Sequence, residues 1–446
     1  MKTCDLTMLD ILFPDGRRAD LSIDGGTVVH CGAGLRAAET IDAKGLLLLP
    51  AGTDMHVHMR DWGQSLKEDW ETGSKCALAG GVTLVVDQPN TVPPLVTAER
   101  VVERVERAQL RSLCHFAING GLDNAGDLTG LWNAGVMAFG ELFAAPSSYG
   151  ECLSKSDLSL GLSKIHDLGG IATIHAEKIT GEYPANLEMH NDFRNCQGEA
   201  SAVREILNAC PAGSRIHFCH LSNSEAVNAA HQMPGLSRER ISRDHELQVS
   251  VEATPHHLLL SYEDFSPEDT RARVNPPLRS KKEQHGLLGA WDQVDVIASD
   301  HAPHTRKDKA VPFAEAPSGL PGVETMIPVL LAYVKEKKMD LAQLIEKICN
   351  RPCEILGIPP AGLNKRARTD FALYPPEAVS VDPDMLHSRA GWSPFEGHPA
   401  IFPEIVVMSG EIVYQSGEFT KISPRWYPGP GFCDVKVTGN KYPEDR

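Results

Sequence analysis

The sequence predicts a (β/α)8 barrel of the TIM type, joined to a small β-domain formed from both chain ends. Three observations carry that prediction. Between residues 51 and 362, short apolar strand patterns alternate with helical ones, and eight such strands can be counted. Metal-binding and acid–base residue types fall just at the C-terminal ends of those strands, the face on which such barrels carry their sites. Both ends of the chain show the alternation and turn residues of a β-hairpin.

Residues 1–50 supply the N-terminal part of the small domain. Leu21-Ser22-Ile23-Asp24-Gly25-Gly26-Thr27-Val28-Val29 reads as two strands about a Gly-Gly turn. Residues 363–446 hold its C-terminal part and a tail, with Val406-Val407-Met408-Ser409-Gly410-Glu411-Ile412-Val413-Tyr414 as a second hairpin. The two pieces read as one shared domain; the other reading is two independent peripheral hairpins. In the barrel, 51–362, strands are expected at Thr53–His58, Thr83–Asp87, Cys114–Asn119, Val136–Phe139, Ile171–His175, Arg215–His220, Gln248–Ala253 and Val294–Ser299. Helices are expected at Thr97–Arg111, Glu199–Cys210, Val323–Lys337 and Leu341–Ile348. Residues 301–322 read as a long loop of the kind that often serves as a lid.

Composition narrows the functional classes. A chain of 446 residues with 42% hydrophobic and 23% charged residues buries a large core without help from disulfides. Lys plus Arg number 43 against 59 Asp plus Glu, and the net charge of −16 argues against nucleic acid or an anionic membrane as the main partner. The N-terminus lacks the apolar stretch of a secretory signal, and no run approaches the roughly 18 apolar residues of a membrane span. Eleven cysteines at scattered spacings, with no CxxC pair, fit reduced thiols. A soluble, cytoplasmic protein acting on a small molecule is expected.

Asp54-Met55-His56-Val57-His58 ends the first barrel strand, and residues two apart on a strand face the same side, so both imidazoles can meet one point. A lone His-x-His is weak evidence for a metal. Here His175, His220 and Asp300 also end strands, each a good zinc-ligand type. Any one alone is better read as a packed core histidine or a capping aspartate; five at one rim are not. His217 lies an odd number of residues from His220, so it is expected to face the other way and to serve packing.

These residues belong to longer blocks. Asp54-Met55-His56-Val57-His58-Met59-Arg60, Asp87-Gln88-Pro89-Asn90-Thr91, Glu252-Ala253-Thr254-Pro255-His256-His257-Leu258, Asn275-Pro276-Pro277-Leu278-Arg279 and Ser299-Asp300-His301-Ala302-Pro303-His304 resemble, in order, the signature blocks of dihydroorotases in the amidohydrolase superfamily. The resemblance implies His56, His58 and Asp300 about one metal ion and His175 and His220 about a second, hence two zinc ions per chain. It also implies a carboxylate bridging them from the end of the fourth strand, often a carboxylated lysine. Gly135-Val136-Met137-Ala138-Phe139-Gly140-Glu141-Leu142-Phe143 contains no lysine, and Glu141 is the stand-in. The alternative is that Glu141 only balances charge and one metal is held tightly.

A dihydropyrimidine ring amide resists water because water is a weak nucleophile and the amide nitrogen leaves poorly. A zinc pair meets the first problem by lowering the pKa of a bound water toward about 7. The resemblance gives Asp300 the second task, moving the proton to the leaving nitrogen. It implies Arg60, Asn90 and His304 as a clamp for the ring carboxylate and Asn275 as a further ring contact. Blander readings are a surface salt bridge from Arg60 to Asp61 or Glu68, a turn role for Asn90 and a solvated loop position for His304. Arg60-Asp61-Trp62-Gly63 departs from the family's Arg-Glu-Pro-Gly, while Pro317-Ser318-Gly319 and Pro321-Gly322 resemble its substrate-covering loop.

The function implied is reversible cyclisation of N-carbamoyl-L-aspartate to L-dihydroorotate in pyrimidine biosynthesis, by a homo-oligomer that can pair with a transcarbamoylase. Two alternatives stay open. One is another cyclic amidase (allantoinase, hydantoinase or dihydropyrimidinase), whose neutral substrates bring no carboxylate to Arg60. The other is a non-catalytic homologue acting as a scaffold, which metal content would distinguish.

Overall fold

The computed structural model describes residues 3–123, 126–146, 152–232, 247–364 and 366–433; the expected tail beyond 433 lies outside them. Eight parallel strands form the centre: β1 (Gly52–Val57), β2 (Val82–Asp87), β3 (His115–Ile118), β4 (Phe139–Phe143), β5 (Ile171–His175), β6 (Arg215–Phe218), β7 (Gln248–Ala253) and β8 (Val296–Ile297). β1–β3 and β4–β8 make two parallel ribbons. Parallel bridges from Gly120 to Phe139 and from Val57 to His301 close them into a barrel. β1 to β5 are buried along their whole length, as expected of strands wrapped outside by helices and filled inside by side chains.

The helices follow their caps. Ala98–Arg111 starts where Thr97 accepts the Arg100 N–H. The helix expected from Glu199 begins at Cys196 instead, because Asn195 caps it through the Gly198 N–H. Val323–Lys335 closes near its expected end. Leu341–Ile345 runs on through a wide turn at 346–350 into Arg351–Leu356. The fourth strand lies at Phe139–Phe143 rather than Val136–Phe139. Val136, Met137 and Ala138 before the true start are as apolar as Phe139 at it, so the pattern carries no mark of where pairing begins. The shift puts Glu141 inside the strand.

One nine-stranded sheet unites the chain ends, in the order Glu418–Phe419, Glu411–Gln415, Ile405–Met408, Phe371–Tyr374, Leu47–Pro50, Cys4–Leu12, Arg18–Asp24, Thr27–Gly32, with Ala37–Asp42 also on Cys4–Leu12. The join is Leu47–Pro50 paired antiparallel to Phe371–Tyr374. Leu6, Met8, Ile23, Phe371 and Val407 share one core beneath it, so neither end buries its apolar face alone. The two hairpin turns touch: a Cβ on Gly26 would lie 2.9 Å from the Ser409 carbonyl oxygen, and one on Gly410 would lie 2.8 Å from the Gly26 Cα. Both have positive φ, 68° and 82°, so glycine is required twice over. No helix among the described residues is long and apolar enough to cross a membrane.

Candidate active site

The barrel's C-terminal rim gathers every metal-type residue named from the sequence. β1 presents His56 and, one residue past its end, His58; β4 presents Glu141 and β5 ends on His175. His220 and Asp300 stand beyond β6 and β8, in backbone with φ of 35° and 44°. Such values are uncommon for residues with a Cβ and mark places where surrounding structure imposes the conformation. Strand β6 ends at Phe218, and the His217 side chain and the His220 backbone both meet one carboxylate. His217 Nε2 lies 3.0 Å from Glu252 Oε2, and the His220 backbone N–H donates to Glu252 Oε1 at 2.9 Å.

The donor atoms converge. His56 Nε2 lies 3.6 Å from Asp300 Oδ1 and 3.7 Å from Glu141 Oε2, and His58 Nε2 lies 3.2 Å from Asp300 Oδ1. On the other side, His175 Nδ1 and His220 Nε2 are 3.2 Å apart, and each meets Glu141 Oε1, at 2.8 and 2.7 Å. Ligand atoms about 2.0–2.1 Å from a tetrahedral zinc stand about 3.3–3.4 Å from one another, so these spacings suit ions on both sides of Glu141. The tautomers agree. His56 Nδ1, His58 Nδ1 and His175 Nε2 are turned to Glu252 Oε1 (3.1 Å), Asn90 Oδ1 (2.6 Å) and Glu177 Oε2 (2.5 Å). That leaves His56 Nε2, His58 Nε2 and His175 Nδ1 facing the centre, the pattern by which outer acceptors orient metal-binding imidazoles. His56 Nε2 is buried with no hydrogen-bond partner among the described residues, an atom that a cation would satisfy.

The electrostatics point the same way. Burial works to raise the Glu141 carboxyl, but hydrogen bonds from His175 and His220, with the His56 ring close by, hold it well below the usual carboxylate range. Burial also opposes ionisation of Asp300, and the His58 hydrogen bond with the nearby His56 and His220 rings outweighs it. Burial lowers the pKa of His175, yet Glu177 and Glu141 push it up to about 9. Ionised carboxylates buried in this number call for positive charge among them. The residues present therefore fit bound metal cations.

Above this cluster a cleft is lined by His58, Arg60, Asn90, Asn275, Ser318 and Gly319, among others. Arg60 is buried, and the acids suggested as surface partners are taken elsewhere: Asp61 by Arg107 at 2.6 and 3.0 Å, Glu68 by Thr72 and by Ser388 at 2.6 Å. Arg60 reaches the cleft by a turn rather than by strand alternation, since Arg60, Asp61 and Trp62 all have positive φ (51°, 59° and 43°). Arg104 holds that turn. It is buried between the Trp62 and Trp70 rings, and donates to Asp87 Oδ2 at 2.8 Å and to the Arg60 carbonyl at 3.1 Å. Asn90 is more than a turn residue, since its Oδ1 orients His58. His304 is buried just behind the wall, not among the residues lining the cleft. Lys67 Nζ lies 3.1 Å from its Nδ1, and its Nε2 donates to the Ser318 carbonyl at 3.1 Å. Burial, then Arg60, Lys309 and Lys67, hold its pKa well below the usual value, so the ring is neutral.

Sequence reasoning passed over Glu252, Glu177 and Arg104. Glu252 sat in a quoted block without a role, and Glu177 offered a signal, being two residues past His175. Arg104 offered none, as an arginine on an amphipathic helix reads as solvated surface. The loop 301–322 is less open than expected, with a helical turn at Arg306–Lys309 and Ala302 donating to the Leu320 carbonyl at 2.8 Å.

No family model matches the chain. A dihydroorotase of Methanosarcina mazei is 39% identical over 421 residues, covering 89% of this chain and 90% of the relative. Dihydroorotases of Halobacterium salinarum and Bacillus licheniformis are 34% and 33% identical, covering 93% and 90% of this chain and 98% and 95% of theirs. Among solved structures, the L-hydantoinase (dihydropyrimidinase) of Arthrobacter aurescens superposes with a TM-score of 0.85 at 24% identity, covering 96% of this chain and 100% of its own, a likeness of fold alone. With relatives at this identity over nine-tenths of its length, the chain belongs to the dihydroorotase family of cyclic amide hydrolases.

Proposed function

We propose that this protein interconverts L-dihydroorotate and N-carbamoyl-L-aspartate in pyrimidine biosynthesis, with two zinc ions at the rim. The observation that carries the reading is a buried arginine, Arg60, on the wall of the cleft that opens onto the histidine–carboxylate cluster. A guanidinium fork matches a ring carboxylate in geometry and charge.

His56, His58 and Asp300 would hold one ion, His175 and His220 the other, and Glu141, with one oxygen toward each set, would span them. The ions supply Lewis-acid activation of water and of the ring carbonyl. Asp300 takes the proton of the attacking water and delivers it to the ring nitrogen as that bond breaks. Arg60 grips the carboxylate bidentately and Asn275 meets the ring. Asn90 holds His58 while its amide faces the cleft. His304 acts from behind, fixing the carbonyl of Ser318. Glu252 and Glu177 keep the imidazoles turned inward. Ring opening creates a carboxylate and releases a proton, so the balance moves toward the open acid as pH rises; a product ratio independent of pH would contradict the assignment.

The test is hydrolysis of dihydroorotate, and its reverse, by the purified protein, with bound metal counted and allantoin and hydantoin as controls. Turnover of dihydroorotate alone with about two metal ions per chain is expected. Metal without that turnover would overturn the carboxylate clamp, and neither metal nor activity would point to a scaffold.

A further inference from the structure

We propose that Lys309 is a positioning residue for the substrate, holding the two backbone segments that face the ring, 273–275 and 317–319, in fixed register. The inference rests on the dihydroorotase reading above.

Lys309 ends the short helix Arg306–Lys309 and is 1% exposed. Its Nζ donates to the Pro317 carbonyl at 2.7 Å and to the Arg273 carbonyl at 3.0 Å, one acceptor from each segment. The Arg273 carbonyl also accepts the Gly319 N–H, at 3.1 Å, so the segments meet at a single oxygen. The residues that follow these carbonyls, Val274 and Asn275 on one side and Ser318 and Gly319 on the other, line the cleft. Asn275 Oδ1 is buried there with no partner among the described residues.

The lysine is itself held from outside. Thr270 Oγ1 donates to its carbonyl, and Trp392, whose ring centre lies 5.8 Å from Nζ, donates to the His304 carbonyl at 2.8 Å. Both acceptors of Nζ are carbonyls. Burial and the neighbouring Arg273, Lys67 and Arg60 press its pKa well below the usual lysine range. A buried lysine is a costly way to gain stability, and an apolar side chain of like volume commonly does as well. What an apolar side chain cannot do is fix two carbonyls from different segments at one point. A shift of about 1 Å in such a wall is enough to lower productive binding markedly.

The experiment compares wild type, Lys309→Gln and Lys309→Met, measuring metal per chain, thermal midpoint, and kcat and KM for dihydroorotate. Methionine keeps the stem and loses both bonds, and glutamine keeps one donor group. KM is expected to rise about tenfold or more in Lys309→Met and by less in Lys309→Gln, with kcat changed by less than about threefold. Metal content should stay at the wild-type value. An unchanged KM, or a loss confined to kcat and metal content, overturns the proposal. So does failure of both variants to fold, which would make Lys309 a residue of the fold rather than of the site. A wild type that does not turn over dihydroorotate refutes the functional reading instead, a result distinguishable from all of these.

Discussion

The two ends of the barrel each bury a cluster of charged and hydrogen-bonding groups, and they treat them differently. At the N-terminal end, Arg368 donates to Asp370 Oδ2 and to the Pro359 carbonyl, each at 2.9 Å, and to Thr53 Oγ1 at 3.0 Å. Asp370 accepts in turn from Thr83 Oγ1 at 3.0 Å and the Ser409 N–H at 2.8 Å. This cluster is closed: it ties β1, β2 and the small sheet together with its partners all internal. At the C-terminal end, four carboxylates and four imidazoles crowd together, yet His56 Nε2, His220 Nδ1 and Asn275 Oδ1 are buried without a partner among the described residues. Buried polar groups are nearly always satisfied, so a closed cluster reads as structure and an open one as a functional site.

Substitutions at the two ends should therefore separate activity from stability. The largest effect is expected from Asp300→Asn, which lowers kcat by about 10² to 10⁴ while the thermal midpoint holds or rises; a parallel loss of stability would break the contrast. Arg368→Met at the closed end strands Asp370 and should cost about 3–5 kcal/mol in denaturant unfolding, with kcat of the folded fraction unchanged. Glu252→Gln weakens the acceptor that orients His56 and His217, and should lower zinc affinity about 10- to 100-fold in a chelator competition, a readout independent of turnover. The smallest effect concerns pH. His115, at the closed end, accepts the Arg425 N–H on Nδ1 at 2.9 Å, and burial depresses its pKa to about 4. The unfolded chain then binds a proton below about 6.5 that the folded chain refuses until about 4, so stability falls across that window as the solution is acidified. His115→Gln should flatten the acid limb of the stability curve by about 1–2 kcal/mol at pH 5 relative to neutral pH. An unaltered slope would place the acid sensitivity elsewhere.

Much of this was legible because the pattern is local. His56 and His58 share a strand face, and strand β5 ends on the histidine the sequence names, because both rest on periodicity and strand ends. The closing of one sheet from two termini was readable from two Gly-containing hairpins. The bond of His217 to Glu252 was not readable, because it depends on a residue of the neighbouring strand. Nor was Arg104, a helix residue whose value depends on Trp62, Trp70 and Asp87 arriving from other segments. His304 lay between these cases, identified by its block but set behind the cleft wall by Lys67 and Ser318.

By itself the sequence determined the barrel, the rim and the residue types available there, since hydrophobic period and strand-end chemistry are properties of neighbouring residues. The tertiary structure decided which atom of each histidine faces inward, which carboxylate reaches both sets of donors, and how Arg60 enters the cleft. Those outcomes depend on contacts between residues such as His56 and Glu252, 196 positions apart, and only the closed barrel brings such pairs within hydrogen-bonding distance.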